Sequence, residues 1–345
     1  MKTVFDNKRI SGILGILPET VCYFEDEMID GASVRNQKIK KNMGYGRRYR
    51  VKPDTTTSQL CCQGLHYLLD NGIVKKDEIA AILVVSLTPD YYVPQISNLI
   101  HADFNLPKDV FAMDLWSGCS GYIDGLFHAF TLLEHIDDKK VLLFTGDILN
   151  RMSREKEKYV NPPYGGDGAS ITIVENTKQE SRIPFAIKND GRQKDLIAFY
   201  QGAFADIFHR NSHLSDGVVL QPAESFRFFQ KCIPDLLMGF FDDFEIKRED
   251  IDFYCFIQAN KLSVKKFADK LQIPYEKVSM EFVEKYGDLS ATLNPIGIID
   301  RYGDALLGND AHKVAICGYG AGVRWGTTVL ELNNLDICKN IIVNL

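Results

Sequence analysis

The chain has 345 residues, of which 45% are hydrophobic and 25% charged, and its net charge is −6. That composition supports a large apolar core and excludes a mainly disordered chain. The acidic balance excludes a general nucleic-acid binder, which needs a basic excess. No apolar run is long enough to form a membrane-spanning helix.

The N-terminal stretch MKTVFDNKRISGILGILPE lacks the apolar segment and cleavage site of a signal peptide, so it reads as mature protein. The eight cysteines form no CxxC pair and no zinc-like Cys/His spacing. Several lie in apolar, strand-like runs. They predict a reducing, cytoplasmic setting and no metal site.

In chain order, Ile10–Leu17 is apolar and ends at Pro18, and Thr56–Leu69 carries apolar residues at helical spacing. Ile79–Ser86 (IAAILVVS) is apolar throughout, as a parallel strand covered on both faces requires. Ile96–Phe104 predicts a helix, Val110–Leu115 a strand, Gly121–Ile136 an apolar helix, and Lys140–Gly146 and Ala169–Val174 two more strands. Ser225–Phe241 then predicts a helix, Ile251–Ile257 a strand and Leu262–Leu271 a helix. A helix after Gly287-Asp288 runs through Ile299, and Lys313–Gly318 and Thr327–Leu332 close the chain as strands. The alternation predicts the α/β class. The segments Asn150–Tyr164 and Lys188–Asp216 read as long surface insertions.

The order of elements repeats. Ser86 corresponds to Gln258, Cys119 to Asp288 and Gly146 to Gly318, which predicts two halves, 1–176 and 177–345, related by a pseudo-two-fold axis.

Cys119 is the most informative residue. It follows a strand, is flanked by Ser117, Gly118, Ser120 and Gly121, and precedes a long apolar helix. A thiol at a helix N-terminus is expected to have a lowered pKa. The alternative is a small packed core cysteine.

With this turn in view, the chain resembles the β-ketoacyl-acyl-carrier-protein synthase III family of the thiolase superfamily. Tyr164-Gly165-Gly166-Asp167-Gly168-Ala169 is similar to its FGDGAGA, and Phe256-Ile257-Gln258-Ala259-Asn260 to its PHQAN. Tyr286-Gly287-Asp288-Leu289-Ser290-Ala291 is similar to HGNTSA, and Tyr319-Gly320-Ala321-Gly322-Val323-Arg324-Trp325-Gly326 to FGGGFTWG. The resemblance implies a thiolase fold, in which duplicated βαβαβαββ halves form a five-layered α-β-α-β-α sandwich. It implies Cys119 as the nucleophile that takes an acyl group from acyl-CoA or acyl carrier protein, with the backbone N–H of Ala321 completing an oxyanion hole. Asn260 would contact pantetheine, or serve as a turn residue.

The match fails where condensation needs it. Ile257 stands at the family's His and Asp288 at its Asn. Decarboxylation develops an enolate oxygen that needs hydrogen-bond donors; isoleucine has none and an ionised aspartate only accepts. None of His66, His101, His128, His135, His209, His213 and His312 falls in a matching motif. Asp288 has two readings, a base that activates an alcohol or amine and a cap on a helix beginning near Leu289.

The expected function is acyl transfer without decarboxylative condensation, in specialised lipid, polyketide or surface-sugar biosynthesis. The alternatives are true 3-oxoacyl synthase III activity and a degenerate subunit supporting an active paralogue. The CoA or phosphopantetheine thioester is substrate, and no cofactor is held permanently. Lys261, Lys265, Lys266 and Lys270 form a basic helix face for an acidic carrier protein, or a solvated face. Arg151 and Arg154, with Lys156 and Lys158, are candidates to meet a CoA phosphate. Asp90 would reach a neighbouring subunit's pocket or hold a turn after Pro89, and Trp116 would narrow the acyl pocket or pack behind the nucleophile turn. The expected assembly is a homodimer, or a heteromer with a paralogue.

Overall fold

A computed structural model describes residues 1–27, 34–152, 164–199 and 218–345. The first half contains strands β1 (Lys2–Asp6), β2 (Lys8–Pro18), β3 (Thr20–Tyr23) and β4 (Arg47–Arg50), with helices α1 (Phe24–Glu27) and α2 (Val34–Met43) between β3 and β4. Then come α3 (Thr57–Asp70), β5 (Ile79–Ser86), α4 (Ile96–Asp103), β6 (Phe111–Trp116), α5 (Gly121–Leu133), β7 (Lys140–Ile148) and β8 (Asp167–Asn176). The second half contains β9 (Arg182–Asn189), β10 (Ile197–Phe199), β11 (Val218–Leu220), α6 (Pro222–Asp243), β12 (Phe253–Phe256) and α7 (Lys261–Leu271). It ends with α8 (Phe282–Tyr286), α9 (Leu293–Tyr302), β13 (His312–Gly320), β14 (Arg324–Leu332) and β15 (Ile337–Val343).

Two sheets form the frame. One runs β15-β2-β8-β7-β5-β6 and the other β1-β9-β14-β13-β12. The run β2-β8-β7-β5 in the first matches β9-β14-β13-β12 in the second, with the same pattern of parallel and antiparallel neighbours. The duplication expected from the sequence is therefore present in strand order. Beside β12, a single parallel bridge from Tyr254 to Val278 stands where β6 stands beside β5.

Strand β5 shows why the first sheet sits where it does. Nearly every residue is buried, so helices must cover both faces. Each fully buried Val, Leu or Ile contributes about 1.5–3 kcal/mol. Helices α3 and α4 cover the outer face, α5 and α9 lie between the sheets, and α6 and α7 lie outside the second sheet. The result is five layers. Helix α3 begins at a reciprocal cap, with Thr56 Oγ1 accepting from Gln59 N and Gln59 Oε1 accepting from Thr56 N.

The sequence reading missed the terminal strands. β1 joins the second-half sheet by pairing antiparallel with β9, and β15 returns to the first by pairing parallel with β2. The halves thus exchange edge strands.

Candidate active site

Two structurally equivalent turns meet between the sheets. The first joins β6 to α5 and carries Cys119. The second follows α8 and carries Asp288. Gly287 adopts φ +73°, a left-handed conformation open to glycine, and this turns the chain into Asp288. The Asp288 N–H then donates to Tyr164 O (2.8 Å), and its carbonyl accepts from Gly166 N (2.8 Å). The Tyr164–Gly168 motif and the Asp288 turn are zipped together in this way.

The expected helix cap at Asp288 takes another form. Residues Ser290–Thr292 form a 3-10 turn, and α9 begins only at Leu293. The Asp288 Oδ1 accepts from Ser290 N (2.9 Å), an Asx turn in place of a cap on an α-helix starting at Leu289. The side chain is 8% exposed. Burial raises its carboxyl to about 6, against the opposing effect of the Ser290 N–H.

Cys119 is part-buried by area, but its sulfur sits where desolvation dominates. Its thiol is pushed up from the ordinary value, first by burial and then by the charges of Asp288 and Asp147; Ser290 and the Cys119 backbone pull the other way. The sequence expectation of a lowered pKa is therefore corrected. The helix terminus is present, since α5 starts at Gly121, but two carboxyl groups and lost hydration outweigh it.

The C-terminal Gly-rich turn reaches this sulfur. A Cβ on Gly320 would lie 2.9 Å from Cys119 Cβ, so glycine is required for the two segments to meet. Ala321 follows directly and is exposed. Among the described residues, neither its N–H nor that of Cys119 donates to a backbone carbonyl.

Ile257 is buried directly after β12 and donates its N–H to Cys317 O (2.9 Å). No imidazole among the described residues acts on Cys119. His101 bonds to Pro107 O, His128 to Asp124 O, and His66 and His312 pack on Phe104 and Tyr302. His209 and His213 lie outside the described residues, as do Arg154, Lys156, Lys158 and most of the two expected insertions.

The remaining expected residues are dispersed. Asn260 caps α7, its Oδ1 accepting from Ser263 N (2.8 Å). Lys261 faces Glu284 at 3.8 Å, Lys265 lies over the Tyr275 ring, Lys266 is exposed, and Lys270 faces Asp235 at 3.8 Å. Arg151 donates to Lys52 O and Pro53 O. Asp90 instead reaches the start of α3, accepting from Ser58 N (3.0 Å) and Ser58 Oγ (2.5 Å), a contact far away in sequence and not a local turn. Trp116 is 67% exposed, so within this chain it neither narrows a pocket nor packs behind the turn.

Three residues near Cys119 or Asp288 were given no role in the sequence reading. Asp147 ends β7 one residue after Gly146, the landmark that was noticed. Ser290 sits in the HGNTSA-like motif. Tyr45 stacks on Tyr164 (6.0 Å between rings), and burial, with Tyr164 and Asp288 nearby, raises its phenol. Beside α5 a cleft of about 580 Å³ is lined by Asp124, His128, Lys188, Arg324 and Trp325, among others. Asp124 Oδ2 accepts from Arg324 Nη1 (2.8 Å) and from Ser117 Oγ (3.0 Å), linking this wall to the Cys119 turn.

The family model 3-oxoacyl-[acyl-carrier-protein] synthase III matches residues 113–191, and the model of that family's C-terminal region matches 241–332. A Campylobacter jejuni protein provisionally named 3-oxoacyl-[acyl-carrier-protein] synthase 3 is 29% identical over 357 residues, spanning 99% of both chains. The beta-ketoacyl-[acyl-carrier-protein] synthase III of Clostridium beijerinckii is 23% identical, covering 94% of this chain and 99% of its own. The solved 3-oxoacyl-(acyl-carrier protein) synthase of Burkholderia xenovorans superposes with a TM-score of 0.90 at 25% identity, covering 99% of each chain. OleA of Xanthomonas campestris shares the fold at a TM-score of 0.78 and 15% identity, covering 95% of this chain and 99% of its own. Along nearly its whole length the chain is thus similar to 3-oxoacyl-[acyl-carrier-protein] synthase III proteins, and it is built on the α/β thiolase fold.

Proposed function

We propose that this chain takes an acyl group from a CoA or phosphopantetheine thioester onto Cys119 and passes it to an oxygen or nitrogen nucleophile, without decarboxylative condensation. One observation carries the reading: a buried carboxylate, Asp288, acts on the nucleophilic sulfur at the turn where an enolate would need a donor. With its carboxyl at about 6, Asp288 is mostly ionised at pH 7 and accepts only. It repels a malonyl carboxylate and a developing enolate. It suits the opposite task, taking the proton of an attacking O–H or N–H as the acyl carbon leaves sulfur.

The acylation half uses groups that do not depend on Ile257 or Asp288. The N–H groups of Cys119 and Ala321 would hold the tetrahedral oxyanion. Lys261, Lys265 and Lys266 offer a basic face to an acidic carrier protein, and Asn260 and Arg151 are the proposed contacts for pantetheine and phosphate. The chain would act as a dimer joined along β6. That strand closes one edge of its sheet, and Phe111 and Trp116 on it are exposed, as are Tyr91 and Val93 nearby. Such an edge pairs readily with its own copy across a two-fold axis.

The test is mass spectrometry of the full chain after incubation with acyl-CoAs and acyl-carrier proteins. A covalent adduct, abolished in Cys119→Ala, supports the reading. Carbon dioxide released from malonyl-carrier protein would establish condensation instead, and absence of any adduct would establish a degenerate subunit.

A further inference from the structure

Asp147 is the buried acid that the proposed transfer leaves unused. It is 1% exposed. Its Oδ1 accepts from Leu87 N (2.7 Å), Thr88 N (3.1 Å), Thr88 Oγ1 (3.1 Å) and Ser86 Oγ (3.1 Å). Its Oδ2 is buried with no hydrogen-bond partner. Four donors on one oxygen and none on the other is costly for a carboxylate, and the bare oxygen is the place for a proton.

Ser290 is the second orphan. It is 1% exposed, its Oγ is buried without a hydrogen-bond partner, and its φ is +54°, a strained value for serine. The Asp288 Oδ1 holds its N–H in this conformation. The Ser290–Thr292 turn packs on β7 and α5, with Thr292 Oγ1 2.8 Å from Thr145 Oγ1; the Ser290 hydroxyl therefore lies close to the Asp147 carboxyl and the Cys119 thiol and lowers both, with a hydrogen bond formed to neither. Asp147 in turn raises the thiol.

We propose that Asp147, acting through the Ser290 hydroxyl, receives the proton that Cys119 sheds as it is acylated. The S–H bond breaks and its proton passes to Ser290 Oγ, whose own proton moves to Asp147 Oδ2. The sulfur forms its bond to the thioester carbon, and the donor's C–S bond breaks with its electron pair on the departing sulfur. That sulfur takes the proton back from Asp147 through the same hydroxyl, so the cycle is neutral. Asp147 is a positioning residue for this proton, and Asp288 remains free to serve the acceptor. Burial raises the Asp147 carboxyl to about 7, which suits exchange near neutrality. The titratable groups on which it acts are Cys119 and Cys61 from α3; Asp90 and Asp114 act with it on Cys61, and Asp288 acts with it on Cys119. No ion pair to Asp147 occurs among the described residues.

This proposal rests on Cys119 being the nucleophile, and its test needs no acyl donor. Iodoacetamide alkylation of Cys119 in the full chain is followed by peptide mass across pH 5–9, as ~4 pH units that bracket the carboxyl's titration. The wild type should show an inflection near 7. Ser290→Gly, which relieves the strained φ, and Asp147→Asn should both lose that inflection and react about 100-fold more slowly at neutral pH. If Asp147 were only a nearby negative charge, Asp147→Asn would make the thiol more acidic and faster; that result, or wild-type profiles in both variants, overturns the proposal. Should Asp147→Asn fail to fold, Ser290→Gly decides alone. A chain that alkylates as expected but accepts no acyl group would refute the transfer function and leave the relay standing.

Discussion

Gly320 and Cys119 are in backbone-scale contact: a methyl built on Gly320 would come within 2.9 Å of the Cys119 Cβ. The C-terminal turn and the Cys119 turn therefore fix each other. Gly320→Ala must push them apart. Expected are a stability loss of about 1–3 kcal/mol in urea unfolding and a fall of about 100-fold in Cys119 acylation from sub-ångström misplacement of the oxyanion donors.

Asp288 and Asp147 give a signed pH dependence. Both carboxyls are raised in the folded chain, to about 6 and about 7. Between the ordinary value of 3.8 and these values the unfolded chain has already released protons that the folded chain keeps. Their contribution is thus full at or below pH 3.8 and is lost as pH rises through 6 and 7. The loss is on the order of a few kcal/mol. Asp288→Asn should flatten part of this slope and stabilise the chain above pH 7, while lowering acyl transfer about 100-fold. Urea unfolding across pH, with single-turnover transfer, checks both.

The Asp124–Arg324 pair makes a separate prediction. Asp124 is buried and holds Ser117, two residues before Cys119. Asp124→Ala removes one of two acceptors of the Arg324 guanidinium, whose Nε still donates to Asn189 Oδ1 (2.6 Å), and frees Ser117 Oγ, at a cost of about 1 kcal/mol. Asp124→Asn keeps an acceptor for Ser117 and should lose less. Thermal unfolding of the two variants gives the ranking, and an equal loss would remove Ser117 from the account.

Much of the site was legible because local chemistry marks it. Cys119 stands out through the small residues around it, Gly287-Asp288 through its turn residues, and the duplication through the order of strands and helices. The exchange of β1 and β15 was not legible, since each pairs with a strand far away in sequence and no local pattern specifies that partner. The thiol's raised pKa was hidden for a similar reason. The helix terminus beside Cys119 can be read locally, but burial of the sulfur, and then Asp288 and Asp147 arriving from other elements, work against it. Asp90 and Asn260 each carried a turn reading; in the structure Asp90 holds Ser58 at the start of α3 and Asn260 caps α7, and the first of these contacts is not local in sequence.

The β6 edge predicts assembly. Trp116→Lys places a charge on the strand's exposed end without touching the buried core. Sedimentation velocity should show a dimer for the wild type and a monomer for the variant; a variant that stays dimeric would move the interface elsewhere.

The central claim is that the sulfur of Cys119 carries an acyl group that is handed on with no loss of carbon dioxide. Its most direct measurement supplies the chain with an acyl thioester and carboxyl-labelled malonyl-carrier protein together, and follows the Cys119 peptide mass and released label in one reaction. The account predicts an acylated Cys119 peptide with label release no greater than in Cys119→Ala. Label release that depends on Cys119 and tracks loss of the acyl group would contradict it.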